Sequence, residues 1–187
     1  MKKVTFLLIL LLGIGLVQAK PTSVNHNKFS IALGAGVRNF SGDTDDVYNL
    51  VNLTFCLDIG FRFSRSFEVF LHTDFLTAKG NLTITDEETT ITIIPIEAGG
   101  RFLMGKSNFC PYLGAGLGFY LINEENPIGT IDESSLGFFA EAGLKYFFGK
   151  SIFIDAKLKY VMLSIRPEDS TINLGGPTVL VAFGFSF

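Results

Sequence analysis

Alternation with a period of two runs through Leu136 to Ile165 and fixes what this stretch can become. Leu136, Phe138, Ala140, Ala142, Leu144, Tyr146 and Phe148 fall on one face, and Ile152, Ile154, Ala156, Leu158, Tyr160 and Met162 continue it after a break at Gly149, Lys150 and Ser151. The other face holds Glu141, Lys145, Asp155, Lys157 and Lys159. A period of two belongs to strands, because successive side chains of an extended backbone point to opposite sides. The short break reads as a hairpin turn. A three-residue loop places Lys145 opposite Asp155 and Glu141 opposite Lys159, so the register that lines up the apolar face also matches opposite charges on the polar one.

The same reading extends along the chain and gives eight strands. The first spans Phe29 to Phe40 and the second Val51 to Phe63. The third, Phe67 to Thr77, follows a three-residue break, and that hairpin sets Arg62 opposite Glu68 and Asp58 opposite His72. The fourth ends near Leu103; its start, Ile91 to Ile94, breaks the alternation, and a bulge is expected there next to Pro95. The fifth carries Tyr112, Gly114, Gly116, Gly118 and Tyr120 on one face. No helical pattern follows these glycines, so a dinucleotide-binding loop is not indicated, and close packing in a crowded interior is. The sixth and seventh form the hairpin described above, and the eighth runs to Phe187.

Connections alternate in length. Those after odd strands are long and polar: Ser41 to Asn49, Lys79 to Thr90, Asn123 to Ser134 and Arg166 to Asn173. Those after even strands are short. An even strand number with short turns at one end and long loops at the other is the organisation of transmembrane β-barrels, and closure leaves no unpaired strand edge for lipid to meet.

The N-terminus suits export. Lys2 and Lys3 precede an apolar run from Val4 to Val17, and Val17 and Ala19 are small residues at a cleavage site. Residues 1–19 are expected to be a signal peptide and 20–187 the barrel domain. The formal net charge of −3 supplies no basic footprint for nucleic acid. Cys56 and Cys110 sit on inward positions of non-neighbouring strands and are expected to be free, buried thiols.

Three segments carry a family resemblance: Pro111 to Tyr120, Gly143 to Phe148 and Val181 to Phe187. From about Phe29 to Phe187 the chain resembles the small eight-stranded outer-membrane β-barrel family that includes OmpA-like transmembrane domains, OmpX and OmpW. The resemblance implies an all-β, antiparallel up-and-down barrel in the outer membrane of a Gram-negative cell. Phe183, Phe185 and the terminal Phe187 look like the signal read by the barrel-assembly machinery. Lipid and lipopolysaccharide are the implied surroundings, and a monomer is favoured.

A soluble barrel would turn the apolar faces inward. Balance among the other face's charges argues for the reverse: Arg38, Arg62, Arg101, Lys145, Lys157 and Lys159 against Asp58, Glu68, Asp74, Glu97, Glu141 and Asp155. Such matching suits a lumen, where buried charge needs partners. Eight strands enclose room for side chains and no wide channel.

His72, between Asp58 and Asp74, is expected to belong to this charge network and not to a catalytic dyad. His26 is the only other histidine. Acidic residues in the long loops (Asp43, Asp45, Asp46, Asp86, Glu87, Glu88, Glu124, Glu125, Asp132 and Glu133) are expected to be solvated loop charge, with no calcium-loop spacing among them. Tyr48, Tyr112, Tyr120, Tyr146 and Tyr160 are candidates for interfacial girdles. No catalytic residue, metal ligand or cofactor is expected. The preferred function is a non-enzymatic barrel with a charge-plugged lumen and a structural or surface-interaction role through four external loops. One alternative is OmpW-like passive uptake of small hydrophobic molecules, through an apolar pocket near Phe139 and Tyr120. The other is a lipid A-modifying enzyme.

Overall fold

A computed structural model describes residues 27–41, 51–81, 88–105, 108–127, 129–165 and 172–187. The expected signal peptide, His26, Tyr48, Asp43, Asp45, Asp46, Asp86 and Glu87 lie outside the described residues. The strands are β1 (Phe29–Arg38), β2 (Asn52–Arg62), β3 (Phe67–Asn81), β4 (Glu88–Leu103), β5 (Phe109–Asn126), β6 (Gly129–Phe148), β7 (Ile152–Met162), the two-residue β8 (Ser164–Ile165) and β9 (Ile172–Asn173), and β10 (Gly176–Ser186). Eight of them close a barrel in the order β1-β10-β7-β6-β5-β4-β3-β2, while β8 and β9 pair with each other. Every ladder is antiparallel. Reciprocal backbone bonds between Phe29 and Phe187, 3.0 and 2.9 Å, finish the closure at one rim.

Both expected hairpin registers are present. Lys145 pairs with Asp155 and Glu141 with Lys159 across β6 and β7. Arg62 pairs with Glu68 and Asp58 with His72 across β2 and β3. Gly149, at φ 82°, adopts the left-handed conformation that the β6–β7 turn requires and that costs glycine little.

The barrel is apolar outside and charged inside. Leu33, Leu53, Leu71, Leu113, Leu117 and Phe138 are each more than half exposed. A continuous exposed belt of this kind has no favourable contact with water and belongs in hydrocarbon. Strand glycines let the interior close: a side chain at Gly143 would collide with the Tyr112 ring, and one at Gly116 with the backbone of Ala98 and with Phe139.

Two expectations are corrected. The long connection at Asn123 to Ser134 is largely strand and that at Lys79 to Thr90 is strand at both ends, since β3 runs to Asn81, β4 starts at Glu88, β5 runs to Asn126 and β6 starts at Gly129. The four strands β3–β6 thus stand as a sheet above the apolar belt. Nor does β4 have a bulge, because its register with β3 is the same on both sides of Pro95. What changes there is polarity. Below this level the outward residues are apolar, such as Phe75, Ile94, Leu121 and Leu136; above it they are Thr77, Thr92, Asn123 and Ser134. Meanwhile Ile91, Ile93 and Ile122 point inward and are buried. The alternation inverts at the upper edge of the belt, as it must where the surroundings change from hydrocarbon to water. Above that edge Lys79 donates to Glu88 at 2.7 Å, and this bond raises the lysine's pKa and lowers the glutamate's.

Candidate functional site

The lumen is filled in three tiers. At the short-turn end lies a small apolar cluster of Ala32, Leu103, Cys110, Tyr112, Phe147, Phe153 and Ala182. At the opposite end a larger one includes Phe40, Phe70, Leu76, Ile91, Ile93, Ile122, Phe139 and Val161. Leu163 and Leu174 belong to it, and Ile165 and Ile172 on β8 and β9 pack against it. The chain after β7 therefore bends inward and caps the barrel, tied by the Leu174 N–H to the Leu163 carbonyl at 2.9 Å. Between the two clusters sit the charges.

Arg101 of β4 is the hub. Its guanidinium donates to Asp58 Oδ1 at 2.8 Å and Oδ2 at 2.6 Å, to Glu68 Oε1 at 3.0 Å and to Glu141 Oε1 at 2.5 Å. It also lies 3.7 Å from the Phe70 ring centroid, a cation–π geometry. Lys145 Nζ donates to Glu68 at 2.6 Å and Lys157 Nζ to Asp58 at 2.8 Å. Lys159 Nζ donates to Asp74 at 2.6 Å and Glu97 at 2.8 Å. Arg62 lies 3.7 Å from Glu68. His72 Nδ1 is 3.2 Å from Asp58 Oδ2, and Nε2 is 2.8 Å from Asp74 Oδ1.

The four lysine pairs cross the lumen. Asp58, Glu68, Asp74 and Glu97 come from β2, β3 and β4; Lys145, Lys157 and Lys159 come from β6 and β7. The two walls attract each other through the interior. Here the sequence expectation needs correction: Lys145 and Asp155 are ladder neighbours, yet Lys145 bonds to Glu68 and Asp155 accepts from Tyr112 OH at 2.9 and 3.2 Å. Likewise Glu141 bonds to Arg101 and its ladder neighbour Lys159 to Asp74 and Glu97. Ladder neighbours on one wall project into the lumen side by side, and long side chains gain more from reaching carboxylates on the far wall. Arg38 is buried but stands apart, donating to the Leu174 carbonyl at 2.8 Å and lying over Phe40.

Two residues not expected in the network belong to it. Tyr112 and Tyr120 are buried inward and form no outer girdle; Tyr120 OH donates to Glu97 at 2.7 Å. Their parity with Gly114, Gly116 and Gly118 was the available signal. Tyr146 and Tyr160 do face outward. His72, Asp74 and Glu97 come close enough to hold a metal ion, but the Lys159 ammonium already bonds to both carboxylates. The group is satisfied by an internal cation. Cys56 and Cys110 are both buried and free.

A double-mutant cycle discriminates the cross-lumen partner from the ladder neighbour. Lys145 and Glu68 should couple by ~0.5–3 kcal/mol in unfolding experiments, and more strongly than Lys145 and Asp155. Equal coupling would return the pairing to the ladder.

An apolar exterior, an interior charge network and complete backbone closure leave one setting for this chain. Residues 6–187 match the family described as outer membrane protein beta-barrel domain. The chain belongs to that family. Solved outer-membrane barrels share the architecture. OprG of Pseudomonas aeruginosa is similar at 15% identity and TM-score 0.70, over 87% of this chain and 96% of that one. Neisserial surface protein A is similar at 17% identity and TM-score 0.66, over 85% and 97%. Ail, the attachment invasion locus protein of Yersinia pestis, crystallised with the heparin analogue sucrose octasulfate, is similar at 16% identity and TM-score 0.61, over 87% and 99%. No curated protein matches the sequence. The outer-membrane barrel thus has its strand belt in lipid.

Proposed function

We propose that this outer-membrane barrel is non-enzymatic, is closed by its charge plug, and acts through surfaces above the membrane. The observation that carries the reading is Arg101, which is fully buried and joined to three carboxylates from β2, β3 and β6. A hub bonded to three strands cannot move aside without stranding buried charge. The apolar tiers above and below add two further seals. His72 fits the same reading, since both ring nitrogens face carboxylates inside the network and none reaches a rim where lipid chemistry would occur.

The interacting surface is then the β3–β6 sheet with its connecting loops. Among the described residues this sheet carries Lys79 against Glu88, Glu124, Glu125, Asp132 and Glu133. That balance suits a neutral or cationic partner and not a polysulfated one of the kind seen with Ail. Lipopolysaccharide would surround the belt's outer leaflet, and Phe183, Phe185 and Phe187, exposed at the short-turn rim, would present the assembly signal. The protein would act as a monomer.

A second reading, passive uptake of small hydrophobic molecules, draws on the apolar upper tier around Phe139 and Tyr120. Planar-bilayer recordings and a vesicle uptake assay with a small hydrophobic solute separate the two. A closed barrel gives no conductance steps and no faster uptake than empty vesicles. Steady conductance would overturn the plug, and accelerated uptake without conductance would favour the second reading.

A further inference from the structure

Arg38 is the exception among the basic residues of the lumen. Arg62, Arg101, Lys145, Lys157 and Lys159 each have a carboxylate no farther than 3.7 Å away. Among the described residues Arg38 has none. It is 1% exposed, donates one bond to the Leu174 carbonyl and lies 5.6 Å from the Phe40 ring centroid. Its Nε is buried with no hydrogen-bond partner. The carboxylates of the upper network are already taken: Asp74 accepts from Lys159 and lies against His72, and Glu97 accepts from Lys159 and Tyr120. The ladder between β1 and β10 sets Thr178 directly opposite Arg38, both facing inward. Residues so placed have Cβ atoms ~4.5–5.5 Å apart. Thr178 is fully buried, and its Oγ1 also has no hydrogen-bond partner. On its other side Thr178 faces Lys159 of β7, so the hydroxyl stands between two buried cations on one inner row. Arg62 Nε is unbonded as well, but that side chain is 11% exposed at the short-turn mouth and sits beside Glu68.

We infer that Arg38 Nε and Thr178 Oγ1 jointly bind one small anion, a halide ion, in the upper lumen. Three points of chemistry select this occupant. A guanidinium stays charged in a protein and can only donate, and a buried charge without a counter-charge is costly. A threonine hydroxyl also has a proton to donate, so the two unbonded groups meet as donors, which is what an anion requires. A water molecule accepts the same bonds but leaves the charge uncompensated. Size follows from packing. Phe40 and Leu174 seal the guanidinium into the upper apolar cluster, which favours a single atom over a ligand that carries carbon. The ion would also have a structural consequence. Leu174 belongs to the chain that caps the barrel, so Arg38 ties the cap to the β1 wall. A halide that neutralises Arg38 holds this tie in place. The inference concerns the interior and stands apart from the role proposed for the surfaces above the membrane.

Crystals grown with bromide in place of chloride locate the ion by anomalous scattering at the bromine edge. A peak within hydrogen-bonding reach of both Arg38 Nε and Thr178 Oγ1 is expected. The second arm is reversible urea unfolding from phosphatidylcholine vesicles, in chloride and in gluconate at matched ionic strength. Screening is then equal, and only the size of the anion differs. Chloride at about ten times its dissociation constant raises the folded-to-unfolded ratio about tenfold over gluconate. Thr178→Val keeps the shape and removes the hydroxyl, while Arg38→Met removes the charge; both should abolish the chloride preference. Thr178→Val carries this arm alone if Arg38→Met fails to fold. No bromide peak, or water density alone at that position, would overturn the proposal. A chloride preference undiminished in Thr178→Val would place the effect elsewhere and overturn it too. A bromide peak with no chloride preference would mean an adventitious ion only, and the proposal would fall.

Discussion

Arg101→Ala will cost the folded barrel about 3–5 kcal/mol, the range for removing one partner from a buried ionic network. The loss is concentrated at Glu141. Without the guanidinium, Asp58 still has Lys157 and Glu68 still has Lys145, but Arg101 is the cation bonded to Glu141. Reversible urea unfolding in lipid vesicles reads the change. Glu141→Gln added to Arg101→Ala should restore part of the stability, because it removes the stranded charge while keeping the shape. A loss below about 1 kcal/mol would place Arg101 in a hydrated interior, where exposed ion pairs contribute little. The result bears on net stability only through this asymmetry: breaking a buried network is costly even where forming it was close to neutral.

Leu117→Arg will cost about 2–4 kcal/mol, and Leu121→Arg no more than about 1 kcal/mol. Leu117 and Leu121 both face outward and are exposed on β5, but Leu117 lies toward the middle of the belt and Leu121 at its upper edge, one outward position below Asn123. A charge on the lipid face is penalised by depth, so the difference between the two sites measures the hydrocarbon directly. Unfolding from vesicles, with heat-modifiable migration on a detergent gel to confirm folding, gives both values. Equal costs at the two positions would mean that no hydrocarbon gradient lies outside the wall and that the faces are assigned the wrong way round.

The inside-out arrangement was legible because parity survives the whole chain. The strands of the belt separate Leu, Ile and Phe from Arg, Lys, Asp and Glu at alternate positions, and short turns carry the parity across the β2–β3 and β6–β7 hairpins. Two features escaped for physical reasons. Above the belt the contrast reverses, with Ile91, Ile93 and Ile122 inside and Thr92 and Asn123 outside, so the same alternation read as a broken strand and then as a polar loop. Threonine-rich stretches such as Thr89, Thr90 and Thr92 favour strands, and that propensity was the usable signal. Asp58–His72 and Arg62–Glu68 meet as the β2–β3 register set them, but the partners of the lysines escaped. Ladder register says which residues are adjacent on one wall, whereas Lys145, Lys157 and Lys159 reach carboxylates on the other. A cue lay in the segregation itself, with β2 and β3 supplying Asp58, Glu68 and Asp74 and β6 and β7 supplying the lysines. The capping pair β8–β9 had no cue beyond the apolar Leu163, Ile165, Ile172 and Leu174 in a loop otherwise polar.

The closed lumen can be tested on the natural sequence without any substitution. Cys56 and Cys110 both point inward, 5% and 2% exposed, from strands on different parts of the ring. Folded protein in vesicles, treated with a membrane-impermeant maleimide on both sides, is followed by mass spectrometry. A plugged barrel leaves both thiols unmodified over a period in which the urea-unfolded chain is labelled twice. Labelling of either thiol in the folded barrel at a rate approaching that of the unfolded chain would contradict the plug.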